Sequence, residues 1–322
     1  MQDPNAAPLM VLKIDVDTYR GTREGVPNLV RMLTRHAAGA TFLFALGPDH
    51  TGWAMRRALR PGFFQKVSRT SVVEHYGIKT LMYGVLLPGP DIGARAAAEM
   101  RAVRDAGFEC GIHTWDHVLW QDKVRGKDAA WTGRMMAKSE QRYAQVFGRP
   151  PHTHGAAGWQ MNGHAFARHD SVGYRYASDG RACLREDGAL RDPAAGPYRY
   201  QGLDCIQMPT TLPTLDELLG REIDGTVIDD DNIAAHLLAL TARNRRDHVY
   251  TLHAELEGQK LAPIFEQLLT GWKAQGYRLA SMAQYHEKIA GTPLPEYPVQ
   301  WGTLPGRSGQ LIVLDTLASP TR

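Results

Sequence analysis

Residues 9–25 read LMVLKIDVDTYRGTREG, and this stretch decides the fold. Leu9 to Val16 is a largely apolar run long enough for a strand, and it leads into two aspartates one residue apart, Asp15 and Asp17. Side chains alternate along a strand, so Val11, Lys13, Asp15 and Asp17 share one side while Met10, Leu12, Ile14 and Val16 share the other. The apolar side can pack beneath a helix. The carboxylates fall at the carboxyl end of the strand, where α/β folds place their sites. On these residues alone a turn or helix cap accounts for the pair as well as a site does, because Asp favours both.

Working outward, further strands are predicted at ATFLFAL (from Ala40), FECGIH (from Phe108), YRYAS (from Tyr174), DCIQMP (from Asp204) and HVYTLHAE (from His248). Between them lie amphipathic stretches with helical spacing: GVPNLVRMLTRHA, DIGARAAAEMRAVRDAG, AAWTGRMMAKSEQRYAQVFG, DNIAAHLLALTARN and LAPIFEQLLTGWKAQG. Gly107 and Gly276 stand where helix stops are expected. The alternation predicts an α/β fold with a largely parallel sheet covered by helices. Residues 53–90 break the rhythm. They mix Arg56, Arg57, Arg60, Lys66, Arg69 and Lys79 with Phe63, Phe64 and an apolar LMYGVLL, and are too long for an ordinary βα loop. The tail after Thr292 is rich in Pro and Gly and is expected to wrap the surface loosely.

Composition narrows the class. The chain has 322 residues, 43% of them hydrophobic, which is ample for one large domain or two smaller ones. A net charge of +3 is too small to argue for nucleic acid as a partner. No uncharged run approaches the ~20 residues of a spanning helix. Cys110, Cys183 and Cys205 form no CxxC pair and read as reduced thiols. The first residues show neither a basic nor an apolar leader region. The expectation is a soluble or peripheral protein facing the cytoplasm.

Two further constellations carry chemistry. CGIHTWDHVLW places His113 and His117 four residues apart after a short strand; at the start of a helix they would share a face and suit one divalent ion. Most such spacings arise by chance, and this chain has 13 histidines. In HVYTLHAELEG, His253 closes an apolar strand, a position more often structural than catalytic when it stands alone. Glu255 shares its strand side and could line the same pocket. PHTHG and HAFARH, with His152, His154, His164 and His169, read as structural or solvent-facing.

Taken in order, DVD, HTWDH, the turn THGAAGW, SDGR and TLHAE resemble the polysaccharide deacetylase family. IDVDTYRGTREGVP, AAGW and PTTLPTLDELLGR resemble more closely its branch of deformylases acting on undecaprenyl-phosphate-linked 4-deoxy-4-formamido-L-arabinose. The resemblance implies a deformed (β/α) barrel of the NodB homology type over residues 1–292, with a basic and apolar insertion at 53–90 and a tail at 293–322. It implies a metal-dependent hydrolase that frees the amine of the lipid-linked sugar for lipid A modification and resistance to cationic peptides. By motif, Asp15 is the general base, His253 the general acid, and Asp17, His113 and His117 the ligands of one divalent ion. Zinc suits two histidines and a carboxylate; Co, Mn or Ni would also bind. Asp179 of SDGR would orient His253. Where the family carries an arginine against the catalytic aspartate, this chain has Ala156 and Ala157; Lys13 and Arg175 are the replacements on offer. The backbone of Ala157 and Gly158 would face an oxyanion. Arg20 and Arg23, in the loop expected just after Asp17, would meet a sugar phosphodiester or else pair with surface acids such as Glu24. The insertion would contact the membrane surface, placing the protein peripherally at the cytoplasmic face of the bacterial inner membrane. The competing readings are a metal-dependent N-deacetylase of another glycan and a catalytically silent lipid-binding protein of the same fold.

Overall fold

The computed structural model describes residues 7–54 and 77–314. Eight strands carry the architecture: β1 (Leu9–Val16), β2 (Thr41–Ala45), β3 (Glu109–Thr114), β4 (Thr153–His154), β5 (Tyr176–Ala177), β6 (Ile206–Gln207), β7 (His248–His253) and β8 (Arg278–Ala280). Seven of them run parallel in the order β7-β1-β2-β3-β4-β5-β6. On one edge β1 pairs with β7 from Met10 to Asp15. Its other edge is shared, with β8 against Leu9–Val11 and β2 against Lys13–Val16. The parallel sheet curls into a half-barrel, as the family resemblance implies.

Every residue of β1 is buried, so both of its sides face protein. Met10, Leu12, Ile14 and Val16 enter the main apolar core, with Leu29 and Leu33 of the helix Val26–Arg35 and Phe265 and Leu268 of the helix Ala262–Ala274. Leu9 and Val11 join a second cluster at the base of the half-barrel. On their side, toward the carboxyl end, stand Lys13, Asp15 and then Asp17. The alternation read from the sequence therefore sorts core from site within one strand.

Three expectations are revised. The helix expected across 91–107 is broken at Ala96 into Ile92–Arg95 and Ala97–Asp105. The segment after Asp17 is no loop: Gly21–Gly25 winds as a π-helical turn directly into Val26–Arg35. The tail does not wrap loosely. Glu296–Tyr297 extends the main sheet, and Leu311–Leu314 pairs with Arg181–Ala182 and is wholly buried. Of the 53–90 insertion, residues 55–76, with Phe63, Phe64 and most of its cations, lie outside the described residues. In the remainder a short helix, Ile78–Met82, precedes a turn. Ile78, Val85 and Leu86 there are three of the four exposed large hydrophobics among the described residues.

Candidate metal and catalytic centre

The carboxyl ends of β1, β3 and β7 meet at one mouth. β1 delivers Asp15 and, one residue beyond it, Asp17. His113 lies within β3, whereas His117 opens the helix His117–Lys123, whose N-cap Asp116 accepts from the Leu119 N–H. The four-residue spacing thus spans a strand end and a helix start, not one helix face. The two rings still stack, with centroids 5.3 Å apart. Asp15 lies directly across from His253 in the β1–β7 register.

His113 Nε2 stands 3.1 Å from Asp17 Oδ1, and His117 Nε2 stands 3.5 Å from Asp17 Oδ2. One ligand atom from each of the three residues lies within 4.8 Å of the others. His113 Nδ1 is 2.7 Å from the Gly155 carbonyl oxygen, which can only accept, so Nδ1 carries the proton. In the neutral ring Nε2 is then an acceptor, facing a carboxylate oxygen that has no hydrogen-bond partner of its own. Two buried acceptors turned toward each other call for a cation between them. The donor set fits a divalent ion: two imidazoles, one of them oriented by a carbonyl, and one carboxylate, leaving positions open. Burial alone would raise the Asp17 carboxyl. With no metal ion bound, protons on His117, His113 and His253 supply the positive charge instead, and these imidazoles outweigh burial and hold the group well below the usual carboxylate range.

Asp15 is buried beside this set. Its Oδ2 accepts from Lys13 Nζ at 2.8 Å, and its Oδ1, 3.6 Å from His113 Nδ1, has no hydrogen-bond partner. Lys13 is fully buried. Of the two cations proposed in place of the family's arginine, it is the one that reaches the aspartate. Arg175 is exposed and lies over the ring of Tyr176.

Other expected roles change. Asp179 does not serve His253. It accepts from His154 Nδ1 at 2.7 Å and lies 3.5 Å from His169 Nδ1, in a buried cluster of its own. The β4–β5 register sets His154 opposite Ala177, which brings Asp179 onto the imidazole from the neighbouring strand. His154 and His169, read as structural or solvent-facing, are both buried, so neither faces solvent. His253 is held from its own turn: its backbone N–H donates to Glu257 Oε2 at 2.8 Å, while its Nδ1 has no hydrogen-bond partner. Glu255 commits one oxygen to the backbone, while its Oε2 is buried with no hydrogen-bond partner. Its Oε1 accepts from the Asp17 and Thr18 N–H groups and the Thr18 hydroxyl, fixing the backbone that bears Asp17. Burial, followed by the charge of Asp17, pushes the Glu255 carboxyl well up. A side chain at Gly21 would overlap Glu255, so a glycine is needed there. Arg20 pairs with Glu24 and Arg23 with Glu99, the surface pairing that was the alternative for both.

The turn Ala157–Trp159 reaches the site through the Trp159 ring, which lies 5.0 Å from Lys13 Nζ. Its internal hydrogen bonds run from Trp159 to Ala156 and from Gln160 to Ala157, so the N–H groups of Ala157 and Gly158 are left out of the turn's own pairing. Gly158 and Trp159 both take positive φ, +58° and +53°.

No family model matches the chain. A protein of Shewanella sediminis (strain HAW-EB3), described as a probable 4-deoxy-4-formamido-L-arabinose-phosphoundecaprenol deformylase ArnD, is 36% identical over 280 residues, 86% of each chain. The chain belongs to the ArnD deformylase family. A second ArnD, from Wigglesworthia glossinidia brevipalpis, is 28% identical over 291 residues, 90% of this chain and 96% of that protein. Membership makes the chain a hydrolase acting on an amide bond. The fold agrees: the crystal structure of a protein assigned as a polysaccharide deacetylase from Mycobacterium smegmatis superposes with a TM-score of 0.59 at 15% identity. It covers 94% of this chain and all of that one.

Proposed function

We propose that the protein removes the formyl group from undecaprenyl-phosphate-linked 4-deoxy-4-formamido-L-arabinose, releasing formate and leaving the 4-amino sugar on its lipid. The observation that carries this is the convergence of Asp17, His113 and His117 beside the buried Lys13–Asp15 pair in a member of the ArnD family. Asp17, His113 and His117 would hold one divalent ion, zinc being well suited, and that ion supplies Lewis acidity toward water and the formyl oxygen.

The rest follows from the chain's own groups. Asp15, ionised against Lys13, takes the proton of the attacking water at Oδ1, its unpartnered oxygen. The N–H groups of Ala157 and Gly158 donate to the charge developing on the former carbonyl oxygen. His253, in its protonated form, gives a proton to the departing nitrogen, which otherwise would leave as a strongly basic amide anion. Glu257 and Glu255 act one step back, holding the backbones of His253 and Asp17.

The substrate's polyprenyl chain asks for access from a membrane. Among the described residues no helix is long and apolar enough to cross one. Exposed Ile78, Val85 and Leu86 support shallow contact through the 53–90 insertion instead. Its six Arg and Lys residues would add roughly 1 kcal/mol each near anionic lipid. The reading places the protein at the cytoplasmic face of the inner membrane, where its product amine serves lipid A modification and resistance to cationic peptides. The deciding experiment is formate release from the lipid-linked formamido sugar, with and without chelator, beside release of acetate from the N-acetyl analogue. Chelator-sensitive formate release with little acetate release is expected. Acetate release at an equal rate, or no formate, overturns the assignment.

A further inference from the structure

We infer that the C-terminal segment is a working part of the site, and that Arg307 is a positioning residue for the Lys13–Asp15 pair and the Ala157–Trp159 turn. This rests on the roles proposed above for Asp15 and that turn. The argument begins with backbone strain. Trp159 holds φ +53° immediately after Gly158 at +58°. A bulky residue in the left-handed region is costly and persists only where its surroundings over-determine it.

Those surroundings come largely from the tail. Trp159 is 1% exposed and packs in an apolar cluster to which Leu304, Leu311 and Val313 contribute. Three cations lie over its ring: Lys13 Nζ at 5.0 Å, Arg181 Cζ at 4.5 Å and Arg307 Cζ at 4.5 Å. Desolvated cation–π contacts of this kind are among the stronger ones. Glu217 keeps both guanidiniums in place. It takes Arg181 Nη1 at 2.5 Å and Nη2 at 2.9 Å, and Arg307 Nη1 at 3.1 Å. Gly306 brings the tail this close, since a Cβ there would overlap the Glu217 carbonyl oxygen. Lys13 is thus held at two points, by Asp15 at 2.8 Å and by the indole that Arg307 and Arg181 clamp. The same clamp fixes the residue that follows the Ala157 and Gly158 N–H groups.

The test compares Arg307→Met and Arg307→Lys in the full chain. For Arg307→Met, kcat for formate release should fall at least ten-fold, while KM stays within two-fold and bound divalent metal stays at the wild-type level. Arg307→Lys should recover at least a third of the lost rate on a logarithmic scale. A substrate-free arm uses a ¹H–¹⁵N spectrum with the Trp159 indole assigned through Trp159→Phe. Arg307→Met should shift the Gly158 amide and the Trp159 indole and leave the Trp272 indole in place. An unchanged kcat, a change confined to KM, or unmoved Gly158 and Trp159 signals overturns the inference. Should Arg307→Met not fold, Arg307→Gln, which also removes the cation over the Trp159 ring, takes its place, and a wild-type rate with a wild-type Gly158 signal in that variant overturns the inference equally. If the wild-type protein releases no formate, the functional assignment fails while the spectra still decide the role of Arg307.

Discussion

Lys13→Met isolates the charge that we propose in place of the family's arginine. Both members of the Lys13–Asp15 pair are all but inaccessible, with side chains 0% and 3% exposed and 2.8 Å between Nζ and Oδ2. At an effective dielectric constant near 20, their attraction at that distance is roughly 6 kcal/mol before desolvation. Methionine matches the stem of lysine and removes only the ammonium, leaving a buried carboxylate that keeps His113, at 3.6 Å, as an ion-pair neighbour among the described residues. Stranding one member of a buried pair costs about 3–5 kcal/mol. With an unfolding entropy of ~2.1 cal/mol/K per residue, 322 residues give about 0.7 kcal/mol/K, so Tm should fall by about 4–7 °C. The assay is a double-mutant cycle in urea with Lys13→Met, Asp15→Asn and the two combined. Asp15→Asn in the Lys13→Met background should restore at least about 1.5 kcal/mol, because it removes the stranded charge. A Lys13→Met protein as stable as the wild type, or no less stable than the double variant, refutes the reasoning.

Three further outcomes are expected. Asp15→Asn and His253→Gln should each lower kcat by about 10²–10⁴ with bound metal retained, and a loss under ten-fold in either removes that residue from its role. Asp17→Asn should bind less than one divalent ion per chain by elemental analysis, and chelation of the wild type should abolish activity until a divalent ion is restored; full occupancy in the variant counts against the ligand set. Burial pushes the Glu257 carboxyl up to about 7. The folded chain therefore keeps a proton that the unfolded chain releases from about pH 4.5, so this residue's contribution to stability falls as pH rises through that window and levels off above it. The loss is on the order of 3 kcal/mol. Glu257→Gln keeps an acceptor for the His253 N–H and should be spared it; urea titrations at pH 5 and pH 8 with the same difference for both proteins speak against this.

Much of the centre was legible because it depends on short-range rules. Strand alternation alone put Lys13 on the side of Asp15, and the 2.8 Å contact follows from that phase. Asp17, His113, His117 and His253 each close a strand or open a helix at the carboxyl edge, and a parallel sheet gathers such positions at one mouth. Asp179 failed for the complementary reason. Its partner was decided by which strand lies beside β5, a long-range pairing that nothing near SDGR encodes. Glu257 left only a faint trace, four residues after His253, in a turn whose backbone contact gives no periodic signal.

The tail is the instructive miss, because the signal was present. Pro and Gly between Thr292 and Gly309 suggested looseness, yet the apolar run Leu311–Leu314 that follows is the pattern of a buried strand. Four apolar residues cannot bury both faces by themselves; they need an edge to pair with and a surface to cover. Arg181–Ala182 supplies the edge and Trp159 the surface. Once that strand is docked, Gly306 and Arg307 are carried onto Glu217 and the indole. Three cations can then share the Trp159 ring because their charges are met elsewhere, Lys13 by Asp15 and the guanidiniums by Glu217. Composition described the connecting residues correctly and said nothing of the short strand they deliver, and it is the strand that decides what the tail does.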